Sequence, residues 1–226
     1  DSSVLIGVEN GSPSSIRQAM SKIRKSEYEY TEAERVLIYV AAEITKIVWP
    51  SEKVTWETPQ FSVQNSYTGA LDFVKKGIFD SSTGNKDFLS TVIPALVMFD
   101  SDVSPQILDQ CESSLSIASS MTESSFLLDY MYGVLYEKRG NFSEAEKYFK
   151  VVYEKEPACF EARYHLASVE LALGKNESAS AITTGLLDTG NIDALKINAR
   201  AAFAQNQYDK AEEYVARVLQ QTPNDL

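Results

Sequence analysis

Apolar side chains recur every three or four positions in residues 126–157, and the pattern is interrupted once, near its middle. This spacing predicts two amphipathic helices joined by a turn at Gly140 and Asn141. Ser143 is a suitable N-cap for the second helix, and Glu146, three residues later, would complete a capping box. The stretch therefore predicts an antiparallel helical hairpin.

The same pattern returns further along the chain at a nearly constant spacing. A small residue in the second helix of the hairpin recurs as Ala145, Ala179 and Ala211. Another small position, in the preceding helix, is filled in turn by Gly133, Ala167 and Ala199. Small residues let adjacent helices approach closely, and a fixed period of this kind predicts stacked helical hairpins.

The repeated hairpin resembles the tetratricopeptide repeat (TPR) family over residues 126–223. Phe142 and Tyr208 provide the aromatic residue that opens the second helix in the family pattern, and Tyr136 and Phe149 also match that pattern. The resemblance implies an all-α fold, a TPR-like helical-hairpin solenoid. Its three repeats are expected at 126–159, 160–191 and 192–223.

The middle repeat departs from the family pattern. Asn176 stands in place of the aromatic residue, Thr183 stands in place of a large apolar residue, and the repeat is two residues short. Its small positions are kept, so we expect the same hairpin there.

Residues 14–125 carry the helical pattern in a weaker form and are expected to form degenerate TPR-like hairpins. The clearest element is a helix over 104–120, with Ser104 as its N-cap and Pro105 at its first position. A further helix over 86–99 contains Pro94, which either kinks it or starts it. Other helices are predicted at 15–25, 31–48 and 67–79.

Two stretches interrupt the helical pattern. Residues 1–13 are mostly small and polar, so we expect a flexible leader there. Residues 49–66 contain Pro50 and Pro59, which forbid a continuous helix. This irregular connection is too apolar for a solvated linker, so it is either a loop packed on the solenoid or a functional segment.

Charge and hydropathy narrow the choice of partners. The chain has 21 basic and 32 acidic residues, a net charge of −11. Nucleic-acid binding is therefore not expected, because phosphate recognition needs clustered cations. No apolar run reaches the roughly 18–20 residues that cross a bilayer. We expect no transmembrane segment, and membrane attachment only through a lipid anchor upstream of Asp1.

The residue types that catalysis or metal binding would require are too few. His165 is the only histidine, and Cys111 and Cys159 are far apart in the sequence, with no companion ligands. No glycine-rich phosphate loop is present. We therefore predict no enzymatic activity, no metal and no cofactor, buried structural thiols, and a hydrogen-bonded structural role for the histidine.

The TPR resemblance implies a concave groove lined by the first helix of each repeat. Ligand contacts in the family come from fixed positions on one face of that helix. Carried onto this sequence, the groove positions are Leu127, Tyr130, Val134, Glu137, Tyr164, Ser168, Lys196 and Arg200. Lys196 and Arg200 make one end of the groove cationic, whereas the other end is apolar and aromatic. The family's carboxylate clamp for chaperone peptides requires Asn where this chain has Val134 and Ser168, so such a peptide is not expected.

The last hairpin predicts a second contact surface. A solenoid leaves one apolar flank of its final hairpin open unless a further helix covers it. The residues after position 223 in this sequence are too few to form such a helix. We expect self-association or partner docking through a C-terminal contact flank formed by Phe203, Tyr214 and Val218.

Two functions fit these expectations. In the first, the protein is a non-catalytic scaffold or adaptor that binds another protein, a peptide or itself through the groove and the C-terminal end. In the second, it is an accessory protein of the bacterial envelope whose groove or lumen binds a small ligand. Its layout loosely resembles tethered TPR lipoproteins, so the periplasm is favoured over the cytoplasm. The sequence leaves the partner and the oligomeric state open.

Overall fold

The fold is all-α and TPR-like, as predicted: within the residues that the structure describes, every regular element is a helix. The structure is a computed structural model. It describes residues 2–25, 41–52, 88–100 and 102–223. The chain divides into two compact units, Asp1–Leu135 and Tyr136–Leu226.

The first unit begins with two helices, α1 (Ser2–Asn10) and α2 (Pro13–Lys25), that pack against each other. The stretch expected to be a flexible leader is therefore helical for most of its length. The two helices approach closely at Gly7, where an added Cβ would lie 3.3 Å from the carbonyl oxygen of Ser15. Val8 is buried in this part of the unit, and its burial stabilises a helix that the polar composition did not indicate.

The remaining helices of the first unit partly match the sequence predictions. Residues 41–48 are helical, and later come α3 (Phe88–Val92) and a 3₁₀ helix (Ile93–Phe99). The change from α to 3₁₀ geometry coincides with Pro94, which lacks the N–H that an α-helix would use. Residues 31–40, the predicted helix at 67–79 and most of the connection 49–66 lie outside the described residues.

The helix predicted over 104–120 is present as α4 (Pro105–Ser119). The side chain of Ser104 accepts a hydrogen bond from the backbone N–H of Ile107, which confirms it as the N-cap. The next helix, α5 (Phe126–Lys138), runs across the boundary between the units.

The second unit consists of helices joined into successive hairpins. After the end of α5 come α6 (Phe142–Lys155), α7 (Phe160–Ala172), α8 (Asn176–Leu187), α9 (Ile192–Ala204) and α10 (Tyr208–Gln221). The turns within the hairpins use a left-handed residue at the same repeat position: Gly140, Gly174 and then Asn206, with φ of 73°, 75° and 60°. Asparagine tolerates this conformation better than most residues with a side chain, so the last turn keeps its geometry without glycine.

The predicted burial of the small positions in the second helices is confirmed. Ala145 and Ala179 are completely buried, and Ala211 is nearly so. A larger side chain at any of these positions would have to separate packed helices.

The predicted capping box in the first repeat is wrong. Helix α6 begins one residue before Ser143, and its N-cap is Asn141, whose side-chain oxygen accepts from the N–H of Glu144 at 3.4 Å. Glu146 does not reach back to the cap, because its carboxylate is hydrogen-bonded to Lys175 at 2.5 Å.

The departure at Thr183 has a structural explanation. Its side chain is buried in α8, donates to the carbonyl of Ala179 at 3.1 Å and accepts from Asn198 Nδ2 at 2.8 Å. Ser180 also donates to Asn198 Oδ1, at 2.5 Å. A buried polar bridge between α8 and α9 therefore replaces the large apolar contact of the family pattern.

Candidate binding groove

A groove in the second unit lies between α7, α9 and α10 and encloses a cavity of about 290 Å³. Four of the eight predicted groove residues line it together: Tyr164, Ser168, Lys196 and Arg200. The repeat offset brings them together, because Tyr164 and Lys196, like Ser168 and Arg200, occupy equivalent positions on α7 and α9.

The groove combines an apolar floor with charged edges. Ile197, Val218 and Leu219 contribute the apolar side chains, and Asp193 adds an acidic group beside the cationic ones. An arrangement of this kind can bury an aliphatic side chain while its edges pair with polar groups.

The surroundings of Tyr164 in the groove raise the pKa of its side chain. Burial raises the pKa of its phenol above the usual 10.0, and the negative charges of Asp193 and Glu137 raise it further. Arg200 and Lys196 act in the opposite direction but do not cancel these effects. The phenol is therefore protonated at neutral pH and is available as a hydrogen-bond donor.

Glu137, also predicted to line the groove, is engaged elsewhere in the second unit. Its carboxylate lies 2.5 Å from Nδ1 of His165. The imidazole also stacks on Phe149, with ring centroids 5.2 Å apart. The histidine is hydrogen-bonded, as predicted, and Glu137 is absent from the cavity lining.

The aromatic end predicted for the groove does not form an open surface. Leu127, Tyr130 and Val134 are all buried within the first unit. The indole of Trp49 lies against Tyr130, with ring centroids 4.1 Å apart, and against Phe126, at 5.5 Å. The predicted ligand positions of the first repeat are therefore core positions, and the interpretation of them as groove residues is wrong.

Trp49 is the residue that the sequence interpretation missed. It is completely buried, and its Nε1 donates to the carbonyl of Gly11 at 3.1 Å. An added Cβ on Gly11 would lie 2.6 Å from Leu127 Cβ, so the backbone passes directly over α5. The sequence feature that indicated burial of Trp49 was the apolar character of residues 49–66, which favoured a packed segment.

The structure places the three residues of the predicted C-terminal contact flank in different surroundings. Phe203 is 65% exposed and Tyr214 is half-buried. Val218 is buried and lines the groove. In the same hairpin, Tyr208 and Val215 are also exposed, and the predicted flank did not include them. Val215 could have been found from the repeat offset, since it has the place in the third repeat that Thr183 has in the second.

A separate charge cluster links α6 to the following hairpin. Glu146 accepts from Lys150 and Lys175, and Lys150 lies 3.9 Å from Glu170. Burial raises the pKa of the Glu146 carboxyl, but the hydrogen bonds and charges of the two lysines outweigh burial and lower it below 4.5. The hydrogen bond with Glu146 correspondingly raises the pKa of Lys150. This cluster ties helices together and lies outside the groove.

Among the described residues, no group of three or more His, Cys, Asp or Glu side chains is arranged to hold a metal ion. Cys111 and Cys159 are both buried and form no disulfide. Across the same described ranges, no helix is both long and apolar enough to cross a membrane.

Comparison with known families supports the repeat interpretation. A family model described as Tetratricopeptide repeat matches residues 137–190. The matched stretch covers the end of α5, helices α6 to α8 and the turns between them. A comparison with curated proteins finds no match.

Proposed function

We propose that this protein is a non-catalytic scaffold that holds a segment of a partner protein in the groove between α7, α9 and α10. The helical-repeat fold and the TPR match suggest protein–protein interaction as the general role. The observation that supports the groove is the convergence of Tyr164, Ser168, Lys196 and Arg200 on one cavity.

The lining favours an acidic segment that carries an aliphatic side chain. Lys196 and Arg200 supply positive charge at the edge, and Tyr164 supplies a protonated phenol. Ile197 and Leu219 offer the partner an apolar floor. Charge pairing at the edge sets orientation and association rate, while burial of the aliphatic side chain contributes most of the affinity.

The test begins with panning a display library of random peptides against the full chain. The most enriched peptide is synthesised and titrated against wild type and the Lys196→Glu/Arg200→Glu variant. We expect at least about a tenfold loss of affinity at low salt, since both favourable charges become repulsive. The matched control is Lys155→Glu/Lys210→Glu, which reverses two exposed charges outside the groove. Equal affinity for wild type and the groove variant would refute the proposed site.

The alternative function, binding of a small ligand by an envelope accessory protein, stays a prediction. The cavity of about 290 Å³ is at the lower end of the range for small-molecule pockets. Native mass spectrometry of the purified full chain tests it. A retained ligand that Tyr164→Ala releases would favour this alternative over a peptide partner.

A further inference from the structure

In the second unit, each hairpin stacks on the next through one repeat position of its second helix. A residue from the first helix of the next hairpin covers that position. In the first repeat, Phe149 is covered by the ring of His165, and in the second, Thr183 is covered by Asn198. The equivalent residue of the third repeat is Val215. It is 38% exposed, whereas Phe149 is 0% and Thr183 is 1% exposed. Helix α10 therefore carries the stacking position, and none of the described residues buries it as its counterparts are buried.

The second repeat shows which side chains the next helix packs against this surface. Ile197 of α9 packs against Ala167 and Ala179, the two small residues of the preceding hairpin, and is itself buried. Partly buried apolar side chains, Leu171 and Ile182 among them, surround this contact. The offset that relates Ala179 to Ala211 gives the corresponding surface of the last hairpin, which we call the end face: Ala199, Phe203, Ala211, Tyr214 and Val215.

We propose that the end face docks an amphipathic helix of a partner protein, in the place that α9 takes on the preceding hairpin. This inference rests on the proposed scaffold function and names the partner chemistry at the C-terminal end. The observation that carries it is continuity with an interface inside the chain. Ala199 and Ala211 occupy the repeat positions of Ala167 and Ala179, which Ile197 contacts, and Phe203 at the rim is 65% exposed. A helix that covered this surface would bury apolar area that is now in contact with water.

The contacts of α9 also define the first side chain of the docked helix. Where α9 has Ile197, the partner needs an aliphatic residue, because the floor formed by Ala199 and Ala211 repeats the floor that Ile197 occupies.

The contacts of Asn198 define the second side chain. Asn198 contacts Thr183 and Ser180, and the third repeat has Val215 and Glu212 in their places. An asparagine would leave its amide against Val215 with no hydrogen-bond partner. A lysine or arginine fits both, since its aliphatic stem can cover Val215 while its charge reaches the carboxylate of Glu212. The partner helix is therefore expected to carry an aliphatic residue followed directly by a basic one.

The probe is a stapled helical peptide with the sequence of residues 192–204 and the single change Asn198→Arg. Its binding to the full chain is measured by fluorescence anisotropy. We expect saturable binding that Val215→Glu weakens by at least about tenfold. The matched control is Val151→Glu, because Val151 is an exposed valine of α6 with a similar exposure of 40%, and it should leave binding unchanged. Phe203→Glu provides a second end-face variant.

Two changes in the peptide test the chemistry directly. Restoring Asn198 should weaken binding, and Ile197→Asp in the peptide should abolish it. Circular dichroism of each protein variant confirms that the helices are retained. Absence of binding, or equal binding to wild type and both end-face variants, would overturn the proposal. Dimerisation of the full chain that Val215→Glu abolishes would also overturn it, since a second copy would then be the occupant.

The end face adjoins the groove, because Ala199 and Val215 belong to both, but Phe203 is absent from the groove lining. Phe203→Glu is therefore the variant that separates the two sites, and it should weaken binding of the helical probe without affecting the peptide selected for the groove. If reversal of Lys196 and Arg200 had no effect while the probe still bound and responded to Phe203→Glu, the groove alone would be refuted. If Phe203→Glu had no effect on binding of the helical probe while reversal of Lys196 and Arg200 weakened binding of the groove peptide, the end face alone would be refuted.

Discussion

Ala145→Leu is the most direct test of the repeat register on which the groove depends. Ala145 is completely buried in α6, and Phe149, one turn further, is completely buried as well. A leucine adds three carbon atoms at a position with no exposed surface, so the helices must separate or the side chain must leave its preferred rotamer. Overpacking of this kind costs about 1–3 kcal/mol in free energy of unfolding.

The assay is urea unfolding of the full chain, followed by circular dichroism. With a urea dependence of about 2 kcal/mol per molar, a loss of about 2 kcal/mol lowers the midpoint by about 1 M. Ala216→Leu is the control, because Ala216 is exposed on α10 and tests the effect of the leucine on helix propensity alone. If both variants had the wild-type midpoint, Ala145 could not lie at a tight helix crossing, and the register would be wrong.

Two further predictions concern buried polar groups of the second unit. Thr183→Val removes the acceptor of an Asn198 amide hydrogen and should lower the free energy of unfolding by about 1–3 kcal/mol; Thr183→Val/Asn198→Leu should recover part of this loss, and exposed Thr184→Val should cost less. The folded-state pKa of Glu146 lies below 4.5, so its ionised form stabilises the fold above that pH, and this contribution is lost as the pH falls through the folded-state pKa. The difference in free energy of unfolding between wild type and Glu146→Gln should therefore be largest near neutral pH and shrink in acid; a difference that does not change with pH would contradict this.

The repeat register was predictable because it depends on local pattern. The spacing of Ala145, Ala179 and Ala211 places each of them on the buried side of its helix, whatever surrounds the hairpin. The hairpin turns were predictable for the same reason, since glycine at positions 140 and 174 permits the left-handed conformation that each turn requires.

The groove was predictable only where neighbouring repeats form it. Tyr164 and Lys196 are separated by the repeat length and therefore meet on adjacent helices of the same unit. Tyr130 follows the same rule by its position in the first repeat, yet it is buried against Trp49, which lies more than two repeat lengths earlier in the sequence. No periodicity of the repeats indicates a contact over that separation.

The sequence by itself determined the helical class, the hairpin repeat and the positions of its small residues, because helix periodicity and close helix crossings depend on side chains only a few residues apart. Tertiary structure alone decided which predicted ligand positions face water. Tyr130 is buried because Trp49 packs against it. Val215 stays partly exposed because none of the described residues stacks on it as His165 stacks on Phe149. Burial depends on what packs against a helix face, and the residue pattern along one helix does not identify the segment that packs against it.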